Sequence, residues 1–570
     1  MTKKVEAVAT GGKAIRIMSD NPKLRWLALA LLALAMLCSY VFMDILSPIK
    51  GLLQTQAGWD SKAFGNMQGS ETFLNVYIFF LIFAGIILDK MGVRFTALLS
   101  GVVMLVGAVI NWYALTDMFV GSSTELWFQN NLNFTFDSVS WGWLRDFLRF
   151  ICPFYDGMPA SAKFSAIGFM IFGCGVEMAG ITVSRGIVKW FKGHEMAMAM
   201  GTEMALARLG VGTCMIFSPF FATQVGPVSV SRPVAFAVVL LMIALIMFIV
   251  YFVMDRKLDN QTHAAEEKDD PFRISDLGKI LRSRGFWIVA LLCVLYYSAI
   301  FPFQKYAPDM LNCNLTLHKP TDGFWASKTV TIIQYLIMLG VAGMAFAGNF
   351  CNNNKKRVTF FVLAGLLLIV YCIFGYMMQE AATIFAVFPL LAVGITPVLG
   401  HYVDHKGKAA TMLVFGSLLL IFCHLTFAFI LPECKGNDLL GVIVAYATIL
   451  VLGASFSLVP ASLWPSVPKL VDPKIIGSAY ALIFWIQNIG LMIFPMLIGD
   501  ILVATNDANV APENLNYQWP LVMLACLGVM ALLLGLYLKV IDRKEHIGLE
   551  EPNIKPDAET LEAEAVAAED

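Results

Sequence analysis

From Trp26 to about residue 540 the sequence alternates long apolar stretches with short polar turns, and this alternation constrains the fold more than any other feature. Each stretch holds roughly twenty residues, the length a helix needs to cross about 30 Å of hydrocarbon. Lipid offers no partners to backbone amides, so such stretches must bond internally and become helices. Spans are expected near 25–46, 69–88, 94–116, 164–188, 196–222 and 231–254. After a polar stretch at 255–284, more are expected near 286–308, 329–350, 358–378, 381–402, 409–431, 438–462, 475–501 and 519–540. The reading is an all-α polytopic membrane protein with about fourteen spans.

Composition agrees: of 570 residues, 58% are hydrophobic and only 14% charged. A formal net charge of −1 gives no reason to expect a nucleic-acid partner. The 11 cysteines show no CxxC pair or Cys/His spacing, so neither a metal nor a redox centre is expected. Cys152, Cys313 and Cys434 fall in predicted outer loops, where a disulfide among them stays open. His194-Glu195 lacks the second histidine of a zinc protease helix, and no phosphate-binding GxxxxGK[ST] loop occurs. No Ser/His/Asp arrangement emerges either. Neither an enzyme nor a cofactor is expected.

The apolar stretch Trp26 to Ile45 is too long for a signal-peptide core and reads as a retained first span. Residues 1–24 form a polar, basic tail and residues 541–570 an acidic one. If both tails are cytoplasmic, the clusters Lys90/Arg94, Arg185/Lys189/Lys192, Arg256/Lys257, Lys355/Lys356/Arg357, Lys406/Lys408 and Lys469/Lys474 share that side. The outer stretch Asp117 to Lys163, rich in aromatic and polar residues, is long enough for a small cap.

Two ionised side chains stand where lipid tolerates them least. Ser165 to Phe217 reads as two antiparallel spans around a turn near Lys192 and Gly193, with Glu177 inside the first and Arg208 inside the second. Both lie equally far from the turn, roughly 20 Å along their helices and near mid-membrane. A lone charge there costs on the order of 3 kcal/mol, so such residues face a partner, the protein interior or water. One reading is a solute site, the other a buried ion pair locking two helices. Glu203 is five residues from Arg208, a spacing that does not stack on one face, and suits a structural or gating role. Asp44 reads as a helix-end contact, and Lys305 with Asp309 as a local i,i+4 pair.

One short pattern occurs twice, each time after a span: Gly85-IIL-Asp89-KM-Gly92-V-Arg94 and Gly400-HYV-Asp404-HK-Gly407-Lys408. Glycines permit close approach and tight turns, while the charges can anchor the turn. Repetition in two halves suggests a two-lobed architecture. In this the sequence resembles the major facilitator superfamily over nearly its whole length. The resemblance implies two six-helix bundles, at 25–254 and 285–540, rocking around a central solute site, with these eight residues as conformational latches. Thr329–Phe350 and Val358–Met378 exceed the usual twelve spans and read as a hairpin inserted at about 329–378, outside the bundles, with contact to another subunit as an alternative.

SRGIVKWFKGHEMAMAMG, ALARLG, FQKYAPDML and SAYALIFWIQNIGLMIFP resemble more narrowly a branch containing lysosomal dipeptide transporters. That resemblance implies that Glu177 holds the ammonium and Arg208 the carboxylate of a dipeptide, chemistry that a carboxylate and a guanidinium fork suit. Tyr296, Tyr297, Trp485, Gln487 and Asn488 are further candidates for the site, or polar links between helices. A lysosomal address is not expected, since the first tail carries no acidic dileucine signal; a bacterial cytoplasmic membrane is preferred. Two alternatives stay open: a proton-coupled organic-anion carrier with Glu177 titrating, and a receptor or scaffold that moves nothing. The oligomeric state is not legible.

Overall fold

The computed structural model describes residues 18–192, 194–262, 278, 280–351, 353–470, 476–507 and 509–552. Most of both tails, much of the 255–284 linker and the turn residue Gly193 therefore lie outside the described residues. Every regular element among the described residues is helical.

The first bundle begins with α1 (Pro22–Met43), which Asn21 caps by accepting from the Lys23 amide at 3.1 Å, with Pro22 at the first turn. Short helices α2 (Lys50–Ala57), α3 (Ser61–Gly69) and α4 (Phe73–Tyr77) follow, then α5 (Phe80–Ala114). Two small helices, α6 (Ser123–Asn130) and α7 (Gly142–Ile151), lie within the stretch for which a cap is expected. The bundle closes with α8 (Ala160–Phe191), α9 (Met196–Pro219) and α10 (Ser231–Thr262). The second bundle starts with α11 (Arg284–Asn314), followed by the inserted hairpin α12 (Lys328–Asn349) and α13 (Asn354–Met378). It continues with α14 (Ala381–Phe385), α15 (Val387–Lys406), α16 (Ala409–Leu425), α17 (Asp438–Leu470), α18 (Ile476–Thr505) and α19 (Gln518–Glu545).

Thirteen described helical stretches are long and apolar enough to cross a membrane. One of these stretches, α5, is two helical legs that meet at Gly92 and correspond to the separate spans expected at 69–88 and 94–116, in keeping with about fourteen spans. Gly92 has φ 79° and ψ 165°, a conformation that breaks the helix and that glycine reaches without a Cβ clash. The leg before Gly92 is interrupted again at Phe79, with φ 54°.

Small residues bring the legs close enough to hold charges inside. A Cβ on Gly107 of α5 would meet the Gly168 carbonyl of α8 at 2.5 Å, and one on Gly168 would meet Gly107 at 2.7 Å. This contact is the backbone-to-backbone approach that replaces a hydrophobic driving force in lipid. It seats α8, and with it Glu177, against the second half of α5. Across the seam between bundles, a Cβ on Gly65 of α3 would lie 2.6 Å from the Tyr306 hydroxyl, and Gly69 abuts the Met492 backbone of α18.

The hairpin does not stand clear of both bundles. Tyr335 of α12 meets Thr213 of α9 at 3.3 Å between hydroxyls and packs edge-on against Phe217. Asn349 at the other end of α12 donates to the Gly394 carbonyl of α15 at 3.3 Å. The same helix thus touches both bundles, while α13 presents Val358, Val362, Leu366, Ile369 and Ile373 outward.

Candidate functional site

Charged pairs between the bundles gather at the face opposite the two tails. Lys305 of α11 reaches Glu71, in the turn between α3 and α4, at 3.0 Å and Asp44 at 3.6 Å. Gln304 donates to Asp44 at 2.6 Å. Lys50 pairs with Asp309 at 2.8 Å, with both side chains nearly sealed from solvent, and Tyr517 also donates to Asp309. Lys62 and Asp500 add a more exposed pair at 3.0 Å. The local Lys305/Asp309 pair expected from sequence is therefore incorrect: each residue turns to the other bundle, where a buried partner of opposite charge offsets its desolvation. Asp44 is likewise no simple helix-end contact, being wholly buried in this seam.

Below this closure lie the two mid-membrane charges. Glu177 is half-buried on α8 and accepts from Asn488 Nδ2 of α18 at 3.3 Å. Arg208 on α9 makes no ion pair among the described residues, and its Nη1 is buried without a hydrogen-bond partner. Its guanidinium instead rests among rings: 4.8 Å from the centroid of Phe456, 5.2 Å from Phe301 and 5.9 Å from Tyr40. Ring faces attract a cation but accept no in-plane N–H bonds, so the fork keeps its capacity for an oxyanion. Glu177 and Arg208 do not clasp each other; each faces residues of the second bundle. Glu203, also half-buried, lies within electrostatic reach of Arg208.

The other candidates divide. Tyr297 accepts from Trp464 Nε1 at 3.0 Å and stacks on Phe301, one of the rings around Arg208. Tyr296 points away, bonded to the Leu413 carbonyl and to Ser417 inside the second bundle. Gln487 is similarly engaged there, accepting from Cys293 at 3.1 Å. Trp485 stacks on Phe79 and donates to the Val76 carbonyl at 2.9 Å, bridging the bundles beside the α5 break. Sequence reading missed Tyr40, Phe301 and Phe456, because a ring inside an apolar span carries no signal. It also missed Lys50 and Glu71, although a carboxylate next to a Gly-Ser pair at the start of a span was legible as an oddity.

The repeated pattern is anchored differently in its two copies. In the first, Asp89 pairs with Arg185 of α8 at 2.6 Å and Arg94 with Asp259 of α10 at 2.9 Å. Lys189 joins Asp255 and Asp259 at 2.7 and 2.6 Å. In the second copy, Gly407 and Lys408 both have positive φ, 73° and 65°, and the chain beyond α19 docks there. The Lys408 amide donates to the Glu550 carbonyl at 3.1 Å, and the Glu550 carboxylate caps α16 by accepting from the Thr411 amide at 2.8 Å. Gly407 lies directly against the backbone of Glu550 and Glu551. Gly85 and Gly400 have open space where a side chain would project, so neither is required by packing in this state. Asp404 also has an interaction partner. Cys152, Cys313 and Cys434 are all free thiols, which removes the open disulfide. No cluster of three metal-ligating side chains occurs among the described residues.

A family model described as Major Facilitator Superfamily matches residues 147–380 and 373–560, well over half of the sequence. The chain belongs to the major facilitator superfamily. Among curated relatives, this superfamily member is 21% identical over 344 residues to the lysosomal dipeptide transporter MFSD1 of Bos taurus, 59% of this chain and 58% of that protein. It is 21% identical over 377 residues to the Homo sapiens MFSD1, 64% of this chain and 65% of that protein. The matches therefore span about three-fifths of those relatives' length. In fold, this major facilitator chain superposes on the nucleoside transporter NupG with TM-score 0.55 at 12% identity, covering 90% of this chain and 99% of that one. A structure reported for substrate recognition in proton dependent oligopeptide transporters gives TM-score 0.54 at 11% identity, covering 91% and 99%.

Proposed function

We propose that the protein is a transporter that carries small zwitterions, dipeptides above all, by alternating access between two rocking bundles. The observation that carries this reading is the separation of the two mid-membrane charges: Glu177 and Arg208 each face the opposite bundle, and Arg208 keeps unpaired donors among three aromatic rings. Arg208 grips the peptide carboxylate in its fork, and Glu177 exchanges Asn488 for the peptide ammonium. The named activity of the MFSD1 relatives supports the dipeptide assignment.

The closure through Lys305, Glu71, Asp44, Lys50 and Asp309 makes this the state shut on the face opposite the tails. The latch pairs around Asp89 and Arg94 hold the other end of the first bundle. With the tails cytoplasmic, as the distribution of basic residues favours, the site would open inward in this state. A bacterial cytoplasmic membrane is the setting we favour.

The test is a thermal-shift screen of purified protein against dipeptides, amino acids and sugars, repeated on Arg208→Lys for any hit. A dipeptide shift that Arg208→Lys abolishes supports the reading, and a shift by sugars alone sinks it. Proteoliposome uptake with and without a pH gradient then separates facilitated transport from proton coupling.

A further inference from the structure

The outer cap holds one helix that the proposed transport cycle does not use. On α7 no residue is fully buried, and the aromatic side chains beside and along it are strongly exposed: Trp141 at 65%, Trp143 at 70% and Phe147 at 52%. Three large rings in water are costly, each carrying substantial apolar area. On the polar side, Arg149 pairs with Asp137 at 2.6 Å, and Asp146 lies 3.8 Å from Arg145. The helix is thus amphipathic, with a neutralised polar side and a ring-bearing side that stays largely exposed, where Trp141 and Trp143 stack on each other.

The depth of this helix follows from what it is tied to. Tyr77 donates from its hydroxyl to the Ile151 carbonyl, the end of α7, at 3.1 Å. Tyr77 ends α4 just before the break at Phe79, and from Phe80 to the Gly92 turn the chain runs twelve residues, about 18 Å of helix at 1.5 Å per residue. The hydrocarbon layer is about 30 Å thick, so the Tyr77 backbone lies within bilayer depth and its hydroxyl reaches toward the outer boundary. Immediately below, Ile78 and Phe83 are exposed at 48% and 54%, as lipid-facing side chains are. Next along the chain, Asn66 fixes the Pro153 carbonyl at 2.8 Å, which holds the segment against α3.

We propose that α7 is a membrane-surface helix whose occupant is the outer leaflet, with Trp141, Trp143 and Phe147 seated at the boundary between headgroups and acyl chains. Tryptophan prefers this boundary because its ring is apolar while its N–H seeks water or headgroups. The helix then fixes the cap to the lipid surface and gives the first bundle a lateral anchor while the second moves against it.

Photocrosslinking in nanodiscs of phosphatidylethanolamine and phosphatidylglycerol tests this with the full-length protein. Benzoylphenylalanine in place of Trp143 should give lipid adducts at a yield close to that of the same label at the outward-facing Leu366, and several-fold above that at Asp146. A yield at 143 no higher than at 146, or adducts to protein in place of lipid, would overturn the proposal. A second readout needs no new side-chain chemistry. Brominated lipids should quench the tryptophan fluorescence of the wild type more than that of Trp141→Phe/Trp143→Phe. Equal fractional quenching of the two proteins would also count against it.

Discussion

Asn488 of the second bundle donates to Glu177 of the first at 3.3 Å, so a mid-membrane carboxylate in one bundle is held by an amide in the other. The same Asn488 offers its carbonyl to Thr72 at 3.2 Å, close to the Glu71–Lys305 pair. One short stretch of α18 thereby touches both the candidate site and the closure opposite the tails. On the proposed reading, a ligand ammonium displacing the Asn488 amide would act directly on a contact between bundles and so link binding to rocking.

Arg208→Lys should lower dipeptide affinity by roughly 10- to 100-fold, since hydrogen bonds to charged groups are worth about 1.5–3 kcal/mol. An ammonium retains the charge but loses the planar fork. Isothermal titration on purified protein gives the number, and an unchanged affinity would remove Arg208 from the site.

Asn488→Ala should separate the two roles of Glu177. With its partner gone, the carboxylate is freer to take an ammonium, so ligand-induced stabilisation should persist while uptake slows. Measuring thermal shift and proteoliposome flux on the same preparation checks this. Loss of both in parallel would mean that Asn488 is itself part of the grip.

Lys305→Met should loosen the seam opposite the tails. Removing one partner of a buried ion pair typically costs about 3–5 kcal/mol, because the remaining charge stays desolvated. Here Asp44 and Glu71 would both be left without their cation. A cysteine placed at Met67, fully buried in this state, should become reactive to a membrane-impermeant maleimide, as read by peptide mass spectrometry. Glu71→Gln in the same chain should restore part of the protection.

Gly407→Ala should strain the second latch twice, through the positive φ and through contact with the Glu550 and Glu551 backbone. Glu550→Ala should cost about 1 kcal/mol by removing the acceptor that caps α16. Both variants should expose the stretch after α19 to protease sooner than the wild type. Undiminished protection in both would show that the docked chain holds itself by other contacts.

Asp89→Asn should slow flux while leaving ligand binding intact, because its 2.6 Å pair with Arg185 ties helix ends far from Arg208. Equilibrium binding beside initial uptake rates tests this. A drop in affinity equal to the drop in rate would argue against a latch.

Much of the architecture was legible because lipid leaves the backbone few choices. Runs of about twenty apolar residues have to be helices, and a charge inside such a run has to face protein or water. On that ground Glu177 and Arg208 stood out before any fold was known. Tyr296 and Gln487 resembled Tyr297 and Asn488 in sequence, since adjacent residues on a helix differ only by about a quarter turn. The structure turns the first pair into the second bundle and the second pair toward Arg208 and Glu177.

By itself the sequence determined that this chain crosses a membrane many times, that its halves share a repeated turn, and that two opposite charges sit deep within neighbouring spans. Local spacing and the cost of polar groups in hydrocarbon suffice for those statements. Only tertiary structure decided that Arg208 is cushioned by Phe301, Phe456 and Tyr40 without pairing with Glu177, that Lys305 and Asp309 reach across to Glu71 and Lys50, and that Glu550 folds back onto Gly407 and Thr411. Each of these contacts joins residues far apart in the chain. Their partners are chosen by how the bundles pack, which no local pattern encodes.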